Sequence, residues 1–327
     1  FATYVLRPFD ITGGPLVPIL AVGVILFAFL VNIAGSRSVG LLSLIMAAVK
    51  IGGIALFGIA ALWASGFQFA AASEASPGFD ITGFIASVAL AILAFKGFTT
   101  ITNSGGEITD PHRNVGRTIM ISIAICVVVY LIVAFAVGSS LTIDQIVAAK
   151  DYSLAEAAAP ALGNAGFYFT VVLAAVATAS GVLASVFAVS RMLAMLTDMK
   201  MIPHRHFGMS GPIRSHTLVY TVVIASILAV FFDLTRIASL GAFFYLVMDM
   251  IVHWGVLRFM RKKVNANASI IILALVFDAI VLVAFTSMKL QSDPLIVLYA
   301  AVAITAVFAF QRIYLSRWTA QQPSEEH

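Results

Sequence analysis

Nine predominantly apolar stretches are spaced along the chain, at 15–34, 39–63, 79–102, 115–138, 163–196, 217–232, 235–258, 269–288 and 294–313. Roughly 20 apolar residues carry a helix across the hydrocarbon of a bilayer, where a helix satisfies its own backbone hydrogen bonds. This pattern alone excludes most folds. Of the 327 residues 61% are hydrophobic and only 10% charged, with a mean hydropathy of +1.04. A soluble chain carries about 25% charged residues, and no globular core absorbs so much apolar surface. The expected fold is therefore an all-α polytopic membrane protein of about nine transmembrane helices. The fifth stretch is long enough to project beyond the membrane, and the sixth is short.

The loops predict an orientation. Arg37, Arg113, Arg117, Arg191, Lys200, Arg205, Arg214, Arg258, Arg261, Lys262, Lys263, Arg312 and Arg317, 13 residues, fall on one side. Arg7, Lys150, Arg236 and Lys289, 4 residues, fall on the other, while Lys50 and Lys96 lie within spans. Basic loops face the cytoplasm, so the chain is predicted to start outside and end inside, as an integral protein of the cell (plasma or inner) membrane. The sequence pI of about 9.3 reflects this topology, not a nucleic-acid surface. The single cysteine, Cys126, lies in an apolar run and reads as a small hydrophobe. No His/Cys cluster has metal-ligand spacing and no phosphate-binding loop is present, so neither metal nor cofactor is implied.

Charges inside the spans are expensive. Lys50 sits in MAAVKIGGIALFG and Lys96 in ILAFKGFTT; Asp249 and His253 stand four apart in FYLVMDMIVHWG, and Asp278 interrupts LALVFDAIVL. Asp249 and His253 share a helix face; they either hold helices together through hydrogen bonds or perform acid–base chemistry. Asp278 reads as structural or protonated. Lys96 differs through its neighbours: Gly97 loosens the helix, and Thr99, Thr100, Thr102, Asn103, Ser104, Gly105 and Gly106 follow. Irregular backbone at membrane depth is tolerated only against protein or a water-filled cavity. The segment is either a broken helix presenting amides and carbonyls to a polar solute or an ordinary helix kinked at glycine.

FKGFTTITNSGGEITDPHRNVGRTI, residues 95–119, resembles the sixth helix and following loop of amino acid permeases of the amino acid–polyamine–organocation superfamily. The resemblance rests on Gly97 between aromatics, Glu107 half a helix later and the Asp-Pro-His-Arg-Asn run at 110–114. VNIAGSRSVGLLSLIMAAVKIGGIALF, with Asn32, Gly35 and Lys50, resembles the fourth-to-fifth helix region; ASVFAVSRMLAMLTDMKMIP resembles the end of the eighth.

The resemblance implies a leucine-transporter-like fold of two inverted five-helix repeats followed by two more helices. On that scheme residues 1–327 form one transporter domain: 15–63 a remnant of the first repeat, 79–258 the complete second repeat, and 269–313 the two C-terminal helices. The first three helices of the family have no counterpart here, residues 1–14 being too short for a span, and the chain starts at Phe1; a fragment of a longer protein is expected.

Site residues follow from the same resemblance. The broken sixth helix implies a substrate site at Leu93, Ala94, Phe95, Lys96, Gly97, Phe98 and Thr99. Lys96 stands where relatives commonly carry an apolar residue; it either pairs with an acidic substrate side chain or turns toward Asp249 or Glu107. Lys50 matches a fifth-helix lysine that replaces the sodium ion of sodium-coupled relatives, with Thr178 and Ser180 as expected partners in proton coupling. An ammonium in a low-dielectric cavity gives up its proton more readily than one in water. Glu107, Arg113 and Arg117 form either a cytoplasmic gate or a solvated loop. The function implied is secondary transport of amino acids or related amines by alternating access, proton-coupled or exchanging. Its partners are then a small-molecule substrate, protons and the lipid bilayer, with no enzymatic step. The competing reading is a non-transporting membrane scaffold derived from the same fold.

Overall fold

The computed structural model describes residues 1–11, 13–68, 80–95, 97, 101–102, 108–203 and 211–319. Every regular element among them is helical: α1 (Ala2–Leu6), α2 (Leu16–Ile33), α3 (Ser36–Ala64), α4 (Ile81–Ala94), α5 (Pro111–Ser140), α6 (Ile143–Ala149), α7 (Ser153–Asp198), α8 (Ile213–Phe231), α9 (Leu234–Gly255), α10 (Ala268–Ser292) and α11 (Pro294–Thr319). Short 3₁₀ turns follow α1 and α6, and a π-helical turn, Val256–Met260, continues α9.

Among the described residues, eight helices are long and apolar enough to cross a membrane. The third predicted span is the exception. Its apolar run covers 79–102, yet α4 stops after 14 residues at Ala94. At 1.5 Å per residue it is about 21 Å long, short of the ~30 Å hydrocarbon layer. The fifth predicted span, 163–196, is the inner part of the 46-residue α7. Gly163 there takes φ 70° and ψ −168°, three residues after Pro160, and divides the helix into two pieces. Only glycine takes up that backbone without strain.

The helices fall into two compact units. In the first, α7 is the centrepiece, packed by α1, α2, α3, α5 and α8. Val24, Ile25 and Ala28 of α2, Met46 of α3, Leu183 and Val186 of α7, and Leu218 and Val222 of α8 form one apolar cluster. Phe57 and Ala61 of α3 meet Ala136 of α5 and Ala157 and Ala158 of α7 in another. Small residues let these backbones approach: a Cβ added to Gly53 would collide with the Leu173 side chain of α7, and one added to Gly58 with Ile132 of α5. Membrane helices associate largely through such close contacts, since lipid is as apolar as their side chains.

The second unit comprises α4, α9, α10 and α11. Ala86 and Ala89 of α4 pack with Phe243 and Leu246 of α9, Phe285 of α10 and Ile296 of α11. Many large apolar residues in both units remain exposed, among them Leu44, Met120, Val172, Phe231 and Val283. That is the surface of a chain solvated by lipid.

Two loop arginines are held by carboxylates. Arg7 Nε donates to Glu156 (2.7 Å) and its guanidinium lies 5.0 Å over the Tyr152 ring. Arg236 Nε donates to Asp293 (2.7 Å), within the second unit. Arg7 and Arg236, two of the four basic residues predicted for the sparsely charged side, are thus tied to acids.

Candidate functional site

The permease-like site residues fall in both units, and each group is described within its own. In the second unit, α4 begins at Asp80, whose carboxylate accepts from the amides of Thr82 and Gly83 at 3.0 Å, a strong N-cap. Its far end is held by Leu93, which packs against Gly241 of α9. At Phe95 the ladder tightens: the Phe95 amide donates to Ile92 O at 3.1 Å instead of reaching back four residues. Among the seven substrate-site residues expected from the sequence, Leu93, Ala94, Phe95 and Gly97 therefore stand at a helix end, where last-turn carbonyls lose their partners within the helix. Lys96, Phe98 and Thr99 lie outside the described residues.

In the first unit, Lys50 projects from the middle of α3. Its Nζ lies 3.5 Å from Ser180 Oγ on α7, a long hydrogen bond. Ser180 is buried and Lys50 half-buried. Gly53, one turn along α3, is the close contact that brings the two helices within reach. Thr178 spends its hydroxyl proton on its own helix, donating to Ala174 O at 2.7 Å. Of the two residues expected beside it, Ser180 lies at 3.5 Å from Lys50 Nζ, while the Thr178 hydroxyl donates within its own helix.

The Asp-Pro-His-Arg-Asn run builds the start of α5. Asp110 takes a left-handed conformation (φ 50°), Pro111 occupies the first turn, and Asn114 Nδ2 folds back onto Thr109 O at 2.7 Å. This turn sets the direction of the helix and leaves Arg113 and Arg117, four apart, exposed on its first turns. Neither pairs with a described carboxylate; Glu107, their expected companion, lies outside the described residues.

The structure also pairs groups that sequence reasoning kept apart. His253 Nδ1 lies 3.0 Å from Asp278 Oδ2, joining α9 to α10. The i, i+4 spacing offered Asp249 as the nearer relation of His253. Only the mutual cost of two polar groups in separate apolar helices pointed to Asp278. Among the described residues no group of three or more His, Cys, Asp or Glu is placed to hold a metal.

A bundle of long apolar helices, with a half-buried lysine at the middle of one of them, defines an integral membrane protein of the all-α polytopic class. The chain matches the amino acid permease family over residues 1–308. It belongs to that family. It is 24% identical over 270 residues to the inner membrane transport protein YbaT of Escherichia coli, an alignment covering 83% of this chain and 62% of the relative. It is 28% identical over 236 residues to an uncharacterized protein of Methanocaldococcus jannaschii, covering 72% and 54%. An uncharacterized transporter of Mycobacterium tuberculosis is 28% identical over 246 residues, covering 72% and 47%. The chain thus spans about half to three-fifths of the length of these relatives.

Proposed function

We propose that this chain is part of a secondary transporter that moves amino acids or related amines across the cell membrane by alternating access, with proton coupling or exchange centred on Lys50. The observation that carries the reading is the Lys50–Ser180 contact between α3 and α7, a charge held at mid-span. A protonated Lys50 donates to Ser180 and ties the two helices; loss of the proton removes the charge and loosens the tie. Binding and release of one proton then biases one arrangement of the helices over the other. The permease family and the transporter names of the relatives support a small-molecule cargo, and the name of the Escherichia coli relative supports an inner membrane location.

The substrate would bind at the end of α4, its ammonium against carbonyls around Leu93 and Ala94, with Phe95, Lys96, Gly97, Phe98 and Thr99 around it. Residues 79–258 would form the second inverted repeat, and Glu107, Arg113 and Arg117 the cytoplasmic gate. The test is uptake of a panel of radiolabelled amino acids and amines by the full-length protein in proteoliposomes, with and without an inward proton gradient. Uptake of one class, accelerated by the gradient or by counter-substrate, is the expected result. Absence of both uptake and binding for every panel member would overturn the assignment.

A further inference from the structure

We infer that the second unit binds an anionic phospholipid, with one acyl chain in a groove between α9 and α11 and the headgroup on the basic turn where α9 ends. The groove has a volume of about 290 Å³. Phe244, Met248, Ile251 and Val252 of α9 and Val307 and Phe308 of α11 line it; all six are exposed, and no lining residue is charged. Such a wall offers dispersion contacts and little else. On α11 the lining runs from Ile304 to Gln311, about 10 Å at 1.5 Å per residue. Spread over that length, the volume leaves a cross-section of about 28 Å², well under that of a helix 10–12 Å across. The groove admits an extended chain and not a partner helix.

The two helices run in the same direction. Arg236, in the first turn of α9, donates to Asp293, the residue before α11, so both helices start at one side and end at the other. At the ending side the groove meets charge. Gln311 is its last lining residue on α11, and Arg312, four residues beyond Phe308 on the same helix face, is exposed. On α9, Arg258 stands six residues beyond Val252, and Arg261, Lys262 and Lys263 follow it, all four exposed. The turn that carries them is closed by its own backbone: the Lys263 amide donates to Met260 O at 2.9 Å and the Ala266 amide to Arg261 O at 3.0 Å. Phe259, 75% exposed, stands among the cations, an apolar ring placed to enter the acyl boundary. None of the five cations pairs with a described carboxylate. Clusters of about four to eight Lys and Arg at the cytoplasmic end of a membrane helix attract anionic headgroups. Here the cluster adjoins a groove for the chain of the same molecule. A soluble phosphate would use the cluster alone and a neutral lipid the groove alone; an anionic phospholipid uses both.

The experiment measures thermal unfolding of the full-length protein in detergent, titrated with dioleoylphosphatidylglycerol or dioleoylphosphatidylcholine. Tm is expected to rise at a lower mole fraction of phosphatidylglycerol than of phosphatidylcholine. The double variant Lys262→Gln/Lys263→Gln, at exposed turn positions, should weaken the half-saturation point on the order of tenfold. Val307→Trp, which fills the groove and keeps every charge, should weaken it to a similar degree. Val302→Trp, at an exposed α11 position outside the lining, should leave it unchanged. Equal responses to the two lipids overturn the site. So does a Val307→Trp response matching that of Val302→Trp, which would reduce the basic turn to general surface attraction. A Tm that rises with protein concentration and not with phosphatidylglycerol would place a second copy of the chain in the groove, and overturns the lipid site as well.

Discussion

Lys50 and Asp278 show what a single polar side chain does at membrane depth. If Lys50 carries the coupling proton, Lys50→Met is expected to leave counter-exchange measurable while removing its dependence on a proton gradient; unchanged gradient-driven uptake would exclude the role. Ser180→Ala should alter the same dependence more weakly, because it removes the partner and not the charge. Asp278 and His253 make a different prediction. Polar pairs between membrane helices are worth on the order of 1 kcal/mol, so Asp278→Ala and His253→Ala should each lower stability by roughly 1–2 kcal/mol. In the double variant the losses should fall short of their sum. Unfolding in mixed micelles measures the cycle, and additive losses would show that the 3.0 Å contact carries no energy. Lys50 was legible as an anomaly because charge is rare in such runs. Its partner was legible only through a family register, and His253–Asp278 was not, since 25 residues and a turn separate the two.

At the scale of the helix, glycine positions divide by what surrounds them. Nothing lies within 4 Å of a Cβ added to Gly52, whereas one added to Gly58 meets the branched Ile132 side chain. Gly52→Ala is expected to raise stability by about 0.5–1 kcal/mol through helix propensity. Gly58→Ala should lower it by roughly 1 kcal/mol or more by overpacking. The sequence shows both glycines in the same run and cannot rank them; the difference arises from which side of α3 faces α5. The loop between α10 and α11 supplies a pH test. Hydrogen bonds from Arg236 hold the Asp293 carboxyl below its ordinary value. A carboxylate lowered on folding adds stability above its unfolded pKa, and that contribution is lost as pH falls through the lowered value. Asp293→Asn should therefore lower Tm near neutrality and converge with the wild type at the acid end of the profile. Parallel curves would show that the pair contributes no proton linkage. Spans were the most legible elements, since length and hydropathy set them; the early stop of α4 was legible as a glycine beside a lysine, though not its position at Ala94.

Over the whole molecule, the distribution of basic residues, 13 against 4, predicts which loops meet the cytoplasm. In a Cys126→Ser background, a cysteine replacing Asp151 should react with an impermeant maleimide in intact cells. One replacing Lys262 should react only after permeabilisation; the reverse pattern would invert the topology. The all-helical class followed from the apolar runs alone, because lipid leaves the backbone so few alternatives. The two compact units did not, since α4 packs with helices that come much later in the chain and no local pattern encodes that choice.

Helix length in the first unit has a consequence for the bilayer itself. α2 has 18 residues and α8 has 19, against 30 in α5. At 1.5 Å per residue the first two are about 27–29 Å long and α5 about 45 Å. The first turn of α5 is polar, so its apolar run, 115–138, is about 36 Å long; lipid beside α2 and α8 still meets a narrower apolar belt, and hydrophobic mismatch of this kind is relieved by local thinning or tilt. Thinning on the α2–α8 flank draws the headgroup layer inward, toward the first turn of α8, where Arg214 is exposed. Acyl-chain length, a property of the membrane alone, then becomes a control on how deep the headgroups stand beside these two helices.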